Sequence, residues 1–173
     1  MSHCVYVTGD IFEAATRHEY LCHQCNCITT KSAHMAASVF KHYPWADVYS
    51  TRTRYSVPGT IEVSKNHDET GDPSVIAMFA QYYPGTQNYA NDNPNLRLKW
   101  FQQCLDAIAK LPNLEKGIAF PWKIGCVCAG GDWIEYQQML EDFAKDKAPP
   151  NSVFIYQLPS DPYKDKKRKK MFK

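Results

Sequence analysis

The sequence predicts a three-layer α/β/α sandwich with a mixed central sheet. Short apolar runs typical of strands alternate along the chain with segments in which apolar residues have helical spacing. The run 75–80 is continuously apolar, which is typical of a strand covered on both faces. The run 60–63 alternates instead, which is typical of an edge strand. Helices on both faces of one sheet account for all three observations.

Turn-forming and helix-breaking residues separate the elements. Thr8-Gly9-Asp10 ends the first strand, and Pro44 ends the second helix. The predicted strands are 4–7, 20–26, 60–63, 75–80, 117–120 and 152–158. The predicted helices are 11–17, 33–43, 95–111 and 132–145. The last two each carry an apolar stripe, made by Phe101, Cys104, Leu105, Ile108 and Leu111 in one and by Tyr136, Met139, Leu140 and Phe143 in the other.

Composition limits the class of protein. The chain has 173 residues, 44% hydrophobic and 22% charged, which is typical of one globular domain, expected over 1–160. No apolar run has the length of a membrane span, and the N-terminus lacks the pattern of a signal peptide. We therefore expect an intracellular protein, cytoplasmic or nuclear, that is monomeric and makes no membrane contact.

Seven cysteines raise the question of disulfides or a metal site. An odd number in a chain of this size argues against a disulfide framework. On a strand, Cys22 points to one face while His23, Cys25 and Cys27 point to the other, so Cys22 and Cys25 cannot chelate together. We expect no metal and no cofactor, and we interpret these thiols as small buried hydrophobes.

The C-terminus is strongly basic. Residues 164–170 read Lys-Asp-Lys-Lys-Arg-Lys-Lys, whereas the rest of the chain is slightly acidic. The globular part is therefore not a nucleic-acid binder on grounds of charge. We expect 161–173 to be a disordered tail, with weak contact to a polyanion as its alternative role.

The stretch 117–133 has the order strand, small-residue loop, helix N-terminus. Pro121 stops the strand, and Asp132 is placed to cap the next helix, with Glu135 three residues on. Backbone N–H groups and the positive end of a helix dipole build an anion site in this arrangement, although an ordinary βα turn is the alternative. In an open α/β sheet ligands bind outside the carboxyl ends of the strands, where we expect four loops to meet: 9–10, 27–34, 82–94 and 121–131.

With these residues placed, the chain resembles a macrodomain, the ADP-ribose-binding module, from about Val5 to Leu158. The resemblance rests on Gly9-Asp10-Ile11, on His23-Gln-Cys-Asn26-Cys27, on Ile124-Gly125-Cys126 through Gly130-Gly131-Asp132-Trp133, and on Tyr156-Gln157-Leu158. The chain is most similar to the branch that contains ADP-ribose-1″-phosphate phosphatases and hydrolases of ADP-ribosyl groups on acidic side chains or DNA.

The resemblance implies a role for each matching residue. Asp10 and Ile11 would bind adenine, Asn26 would face the distal ribose, and Tyr156 would pack on adenine. The backbone of the second loop would hold the diphosphate through Gly125, Cys126, Val127, Cys128, Ala129 and Gly130. The chain departs from the family pattern in its first loop, 31–36, which has no glycine, so that Lys31 and His34 occupy the approach to the ligand.

Catalysis is left open between two hypotheses. One is an enzyme that releases phosphate from the distal ribose or cleaves an ADP-ribosyl ester, with His23 as general acid/base, Asn26 holding the ribose, and Asp132 or His34 orienting water. The other is a non-catalytic reader of ADP-ribose or of ADP-ribosylated substrates. A lysine nucleophile is disfavoured, because Gln81 and Tyr82 stand where the resemblance would place it and Ala129 stands in place of its aspartate partner. A polyanion-binding module acting through the tail is a third possibility.

Overall fold

A computed structural model of the chain describes residues 2–67 and 71–159. Its centre is a six-stranded sheet in the order β1-β6-β5-β2-β4-β3. Neighbouring strands are parallel except at the edge, where β3 runs antiparallel to β4. The strands are β1 (Val5–Thr8), β2 (Tyr20–Asn26), β3 (Ile61–Ser64), β4 (Ser74–Gln81), β5 (Ile118–Pro121) and β6 (Val153–Gln157). The predicted mixed sheet is confirmed.

Helices cover both faces of this sheet. They are α1 (Ile11–Ala14), α2 (His34–His42), α3 (Pro94–Ile108) and α4 (Trp133–Asp146), with short 3₁₀ turns at Ala15–Arg17, Pro44–Ala46 and Leu114–Lys116. One apolar core lies between the sheet and α3 with α4, and a second lies between the sheet and α1 with α2. This is the three-layer sandwich that the sequence predicts.

The side-chain alternation of β2 divides its residues between the two cores. Cys22 packs on the α3 and α4 side, whereas Leu21, Cys25 and Cys27 pack on the α1 and α2 side. The predicted separation of Cys22 from Cys25 is therefore confirmed. All seven cysteines carry free thiols. In the described ranges, no group of three or more His, Cys, Asp or Glu side chains is arranged to hold a metal ion.

The predicted burial of the strands is confirmed, and each strand lies within one residue or so of its predicted position. Every residue of β4 is buried, as expected for a strand covered on both faces, whereas β3 exposes Glu62 at the edge of the sheet. β5 ends at Pro121, which lies in register beside Tyr156, and Trp122 makes the next hydrogen bond to the Tyr156 carbonyl at 2.9 Å. The proline is tolerated because it occupies the last position of the strand.

The basic tail predicted at 161–173 lies outside the described residues. In the part of the chain that is described, no helix combines the length and the apolar character needed to cross a bilayer.

Candidate functional site

A cavity of about 1600 Å³ opens at the carboxyl ends of the parallel strands. Its volume is sufficient for a ligand of dinucleotide size. All four loops predicted to meet there contribute to its wall: the turn after β1, the loop after β2, the loop after β4 and the loop after β5. The cavity therefore lies where ligands bind in open α/β sheets.

Asp10 lies at one end of the cavity, directly after β1. Its Oδ1 accepts a hydrogen bond from the backbone N–H of Phe12 at 2.9 Å and so caps α1. Oδ2 has no hydrogen-bond partner among residues 2–67 and 71–159. The next residue, Ile11, is 6% exposed and contributes to the same wall. One carboxylate oxygen is thus available to a ligand while the other holds the turn.

The loop between β5 and α4 presents its backbone to the cavity. It is folded by hydrogen bonds from Ile124 N to Pro121 O, from Cys126 N to Lys123 O and from Gly131 N to Gly125 O, at 3.1, 3.0 and 3.1 Å. The backbone N–H groups that remain without an acceptor in the described part of the chain include those of Gly125, Val127 and Ala129. All three residues line the cavity, together with Cys126 and Cys128. Donors of this kind suit an anionic ligand.

Glycine is required where this loop turns. Gly125 has a φ of 75°, and a Cβ there would lie 2.7 Å from Oε1 of Gln24. Gly130 has a φ of 76°, and a Cβ there would lie 2.5 Å from Oγ1 of Thr86. Gly130 itself is not part of the cavity wall, so it supports the loop instead of contacting the space.

Asp132 follows the loop as the predicted helix cap. Its Oδ1 accepts from the backbone N–H of Ile134 at 3.0 Å, at the start of α4. The side chain is exposed and belongs to the cavity wall. Its observed task is therefore structural, with one carboxylate oxygen committed to the helix.

A buried ion pair that the sequence analysis missed ties two walls of the cavity together. Arg97 on α3 and Asp92 just before it are 3% and 0% exposed. Nη1 of Arg97 also donates to the carbonyl oxygens of Gly85 and Ala129, at 2.6 and 3.1 Å. The signal was present in the helical spacing, because position 97 lies on the same stripe as Phe101, Leu105 and Ile108. A charged residue on a buried stripe indicates a specific partner.

The structure does not bring His23 to the cavity. Its side chain is 0% exposed and lies edge-on to Phe40 in the core on the α1 and α2 side, with Cys25 Sγ 3.5 Å from Nδ1. Burial lowers the pKa of His23 to about 4. The expectation that His23 acts as general acid/base is therefore not supported by its position. Strand alternation puts it on the face opposite Gln24, and Gln24 is the side chain that lines the cavity.

Asn26 lines the cavity, but its amide serves the loop that follows β2. Oδ1 accepts from the backbone N–H groups of Ile28 and Thr29, at 3.0 and 2.9 Å, and Nδ2 donates to Thr29 Oγ1 at 2.9 Å. The backbone N–H of Asn26 donates to Tyr49 Oη at 2.8 Å. These bonds hold the loop in place and leave one N–H of the amide as the group that Asn26 can offer a ligand.

His34 and Lys31 border the cavity beside α2. Both side chains are exposed. His34 has a φ of 55° and begins α2 after Ala33, which provides no side-chain cap. The first N–H groups of α2 and the ammonium of Lys31 give this wall a positive character.

Tyr156 also belongs to the wall, although little of its ring is available. The side chain is 7% exposed and packs in the core on the α1 and α2 side. Its hydroxyl is hydrogen-bonded to Nε2 of His18. Burial raises the pKa of the Tyr156 hydroxyl and lowers that of the His18 imidazole. Tyr156 therefore contributes to the cavity wall with only a small exposed part of its side chain.

Comparisons with solved structures identify the architecture. No protein-family model and no curated protein sequence matches the chain. The macrodomain of Mycobacterium tuberculosis DarG superposes with a TM-score of 0.68 at 19% identity, covering 92% of this chain and 100% of that one. A Trypanosoma brucei macrodomain in complex with ADP-ribose gives 0.60 at 11% identity, covering 99% and 69%.

A third structure, a mutant of an Oceanobacillus iheyensis macrodomain with ADPR, gives a TM-score of 0.58 at 16% identity, covering 100% of this chain and 99% of that one. Identities this low relate the folds alone, but nearly the whole chain takes part in each superposition. Together with the strand order, the two helical layers and the cavity at the carboxyl ends of the strands, they show that this chain has the macrodomain fold.

Proposed function

We propose that this protein binds ADP-ribose, free or attached to another molecule, in the cavity at the carboxyl ends of its strands. The observation that carries the proposal is the row of unpaired backbone donors in the loop after β5, at Gly125, Val127 and Ala129. A diphosphate offers the oxygens that such donors need. Two of the structures that share this fold are described with ADP-ribose.

The ends of the cavity suit the two ends of this ligand. Oδ2 of Asp10 can accept a hydrogen bond from the exocyclic amine of adenine, since Oδ1 is already committed to Phe12. At the other end, Asn26 lies after β2 and can donate its remaining amide N–H to a ribose hydroxyl. The loop with the unpaired donors lies between these ends, because β5 stands between β1 and β2 in the sheet.

The charges around the cavity also favour an anionic ligand. Lys31 and the uncapped start of α2 border it on one side, and Lys123 borders it on another. Of the acidic residues in the wall, Asp10 and Asp132 each commit one oxygen to a helix cap. The unpaired N–H groups of the loop, Lys31 and Lys123 supply the donors and the positive charge that a diphosphate needs.

Binding without catalysis is the function that this geometry supports best. The buried position of His23 supports this choice, because the enzyme hypothesis named His23 as its general acid/base. Release of phosphate from the distal ribose, or cleavage of an ADP-ribosyl ester, stays as the second candidate because His34 is exposed at the wall and an imidazole can act as a general acid or base. Asp132 could orient a water only with the oxygen that does not cap α4.

Calorimetric titration tests the proposal. We expect the full chain to bind ADP-ribose with measurable heat, and to bind AMP more weakly because AMP cannot span the cavity. Absence of ADP-ribose binding by a folded protein would reject it. Phosphate release from ADP-ribose-1″-phosphate and release of ADP-ribose from a modified peptide then separate the two candidates, with His34→Ala as the variant that should abolish any turnover.

A further inference from the structure

We propose that a row of four tyrosines beside the cavity binds an extended peptide of proline and acidic residues, the segment of a partner protein that carries the ADP-ribosyl group. The inference rests on the proposed function and adds a surface outside the cavity. The tyrosine row consists of Tyr55, Tyr82, Tyr83 and Tyr89, which meet edge-to-face in that order with ring centroids 6.3, 4.9 and 5.5 Å apart. None of these four residues is part of the cavity wall.

The two end rings of the tyrosine row are open to solvent. Tyr55 is 65% exposed and Tyr89 is 55% exposed, whereas Tyr82 and Tyr83 between them are half-buried. Apolar side chains that are exposed singly are common on protein surfaces, but a contiguous group of them marks an interaction site. Tyrosine is also one of the residue types that contribute most to binding at protein interfaces.

The tyrosine row is held in place before any partner binds. The backbone N–H of Tyr83 donates to Oδ2 of Asp92 at 2.9 Å, and the Tyr83 carbonyl accepts from Arg97 Nη2 at 3.2 Å. The Tyr83 hydroxyl accepts from Asn91 Nδ2 at 3.1 Å, and the backbone groups of Tyr89 and Asp92 bond to each other. The buried ion pair thus fixes the loop that carries three of the four rings. A surface ordered in advance loses less conformational entropy on binding.

The tyrosine row begins where the distal ribose of the proposed ligand would leave the cavity. Asn26 is the residue proposed to meet this ribose, and its neighbour Cys27 is bonded to both segments that carry the row. The backbone N–H of Cys27 donates to the Tyr82 carbonyl at 3.0 Å, and the Cys27 carbonyl accepts from the N–H of Ser56, next to Tyr55, at 2.9 Å. An ADP-ribosyl group is joined to its carrier at the distal ribose, so the carrier emerges beside the row.

The ring geometry favours a peptide over a nucleic acid. Neighbouring rings in the tyrosine row lie at 85°, 88° and 76° to each other, so consecutive rings do not present parallel faces to a stack of bases. Perpendicular rings leave notches between them, and aromatic-lined grooves hold the rings of proline in extended peptides. Outside residues 160–173 the chain is slightly acidic, which disfavours a long phosphate backbone.

The charges next to the tyrosine row favour acidic residues in the peptide. The two segments that carry the row, 50–60 and 81–91, contain no aspartate and no glutamate. Their charged residues are Arg52, whose Nη2 donates to the Asn26 carbonyl at 3.1 Å, and Arg54, which is exposed. The row therefore has positive surroundings within a chain that is acidic elsewhere, and glutamate beside proline in the partner complements them.

The test uses ADP-ribose joined through its distal ribose, by a linkage that resists hydrolysis, to three carriers. These are a peptide of proline and glutamate, a peptide of glycine and serine of the same length, and a single-stranded oligonucleotide. By calorimetry we expect the wild type to bind the proline–glutamate conjugate about tenfold to a hundredfold more tightly than free ADP-ribose, the range for one or two tyrosine contacts. The glycine–serine conjugate should bind about as tightly as free ADP-ribose. An equal or larger gain for the oligonucleotide conjugate would overturn the assignment to a peptide.

Tyr55→Ala/Tyr89→Ala removes the two exposed ends of the tyrosine row. We expect it to lose the gain for the proline–glutamate conjugate and to bind free ADP-ribose within about twofold of the wild type, because neither side chain lines the cavity. Both side chains are more than half exposed, so the variant should melt close to the wild type. Tyr6→Ala is the matched control, because Tyr6 is a tyrosine 43% exposed on β1, at the opposite edge of the sheet from β3 and β4. It should leave both affinities unchanged.

Arg54→Gln tests the charge separately from the rings. It should reduce the gain for the proline–glutamate conjugate and leave unchanged the gain for a conjugate of proline and glutamine. Equal affinity of the wild type for the two peptide conjugates, or an undiminished gain in Tyr55→Ala/Tyr89→Ala, would overturn the assignment of the tyrosine row while the proposed function stands. A folded wild-type protein that binds neither free ADP-ribose nor any conjugate would overturn the proposed function and this inference with it.

Discussion

The guanidinium of Arg97 binds both carboxylate oxygens of Asp92, with Nε to Oδ1 and Nη2 to Oδ2 each 2.7 Å long. Because the pair is buried, its strength depends on the other bonds that satisfy it. Asp92 also accepts from the backbone N–H of Tyr83 at 2.9 Å, and Arg97 donates to the carbonyls of Gly85 and Ala129. The pair thus connects α3 to the loop after β4 and to the loop after β5.

Removing the guanidinium of Arg97 should lower the stability of the folded protein. Arg97→Met leaves the Asp92 carboxylate buried without its partner, so we expect the free energy of unfolding to fall by about 3–5 kcal/mol. Urea denaturation measures this change. Lys99→Met on the same helix is the matched control, because Lys99 is exposed, and it should change stability by less than about 0.5 kcal/mol. An equal effect of the two substitutions would show that the pair is not a structural anchor.

Gly130 should be sensitive to substitution although it does not line the cavity. In Gly130→Val a valine would have to adopt the φ of 76° that glycine has now, and its Cβ would clash with Thr86. Thr86 holds the loop, because its Oγ1 donates to the Cys128 carbonyl at 3.3 Å. Strain of about 1–3 kcal/mol should distort the loop and weaken ADP-ribose binding roughly fivefold to a hundredfold. Calorimetry measures the affinity.

Two further variants show whether this effect comes from the backbone of the loop. Gly130→Val/Thr86→Ala relieves part of the clash and should recover part of the affinity. Cys126→Ser and Cys128→Ser should be mild, because the loop is proposed to act through its N–H groups. If the cysteine variants abolished binding while Gly130→Val did not, a thiol-based mechanism would replace the backbone one.

Asp10 combines a helix cap with the proposed adenine contact, and two substitutions separate these roles. Asp10→Asn keeps an oxygen to cap α1 at Phe12 but turns the other position into a donor. Asp10→Ala removes both. A charge-assisted bond is worth about 1.5–3 kcal/mol, so we expect both variants to weaken ADP-ribose binding roughly tenfold to a hundredfold. Wild-type affinity in the folded Asn variant would reject the adenine contact.

His23 should act on stability and not on turnover. The pKa of His23 is about 4 in the folded protein and about 6.5 in the unfolded chain. Between these two pH values the unfolded chain binds a proton at His23 and the folded protein does not, which favours unfolding. The stabilising contribution is fully present above pH 6.5 and is lost as the pH falls towards 4. We expect a loss of roughly 3 kcal/mol across this window.

Urea denaturation at several pH values between 4 and 7 checks this expectation. His23→Phe should show a flatter dependence than the wild type, and the difference between the two proteins removes the contribution of His18, whose pKa burial also lowers. Parallel curves for the wild type and His23→Phe would contradict a buried neutral imidazole.

Patterns among neighbouring residues in the sequence were sufficient to predict the strands, the helices and most of the loops that form the site. Alternation separated Cys22 from Cys25, and the continuous apolar run of β4 marked a strand covered on both faces. The turn residues after β1 and the cap at Asp132 placed two of the cavity walls. These features depend on neighbours within a few positions along the chain, which is why the sequence alone was sufficient.

Only the tertiary structure decided which polar side chains face the ligand space. The same alternation that was interpreted correctly for the cysteines puts His23 in the core and Gln24 at the cavity, but β2 alone does not tell which face meets the open loops. The bonds from Gln24 to Gln81 and from Arg97 to Ala129 join residues 57 and 32 positions apart. Such pairings depend on strand order and on the packing of α3, which no local pattern encodes. The hydrogen-bond partners of the polar side chains at the site are therefore known only from the assembled sheet.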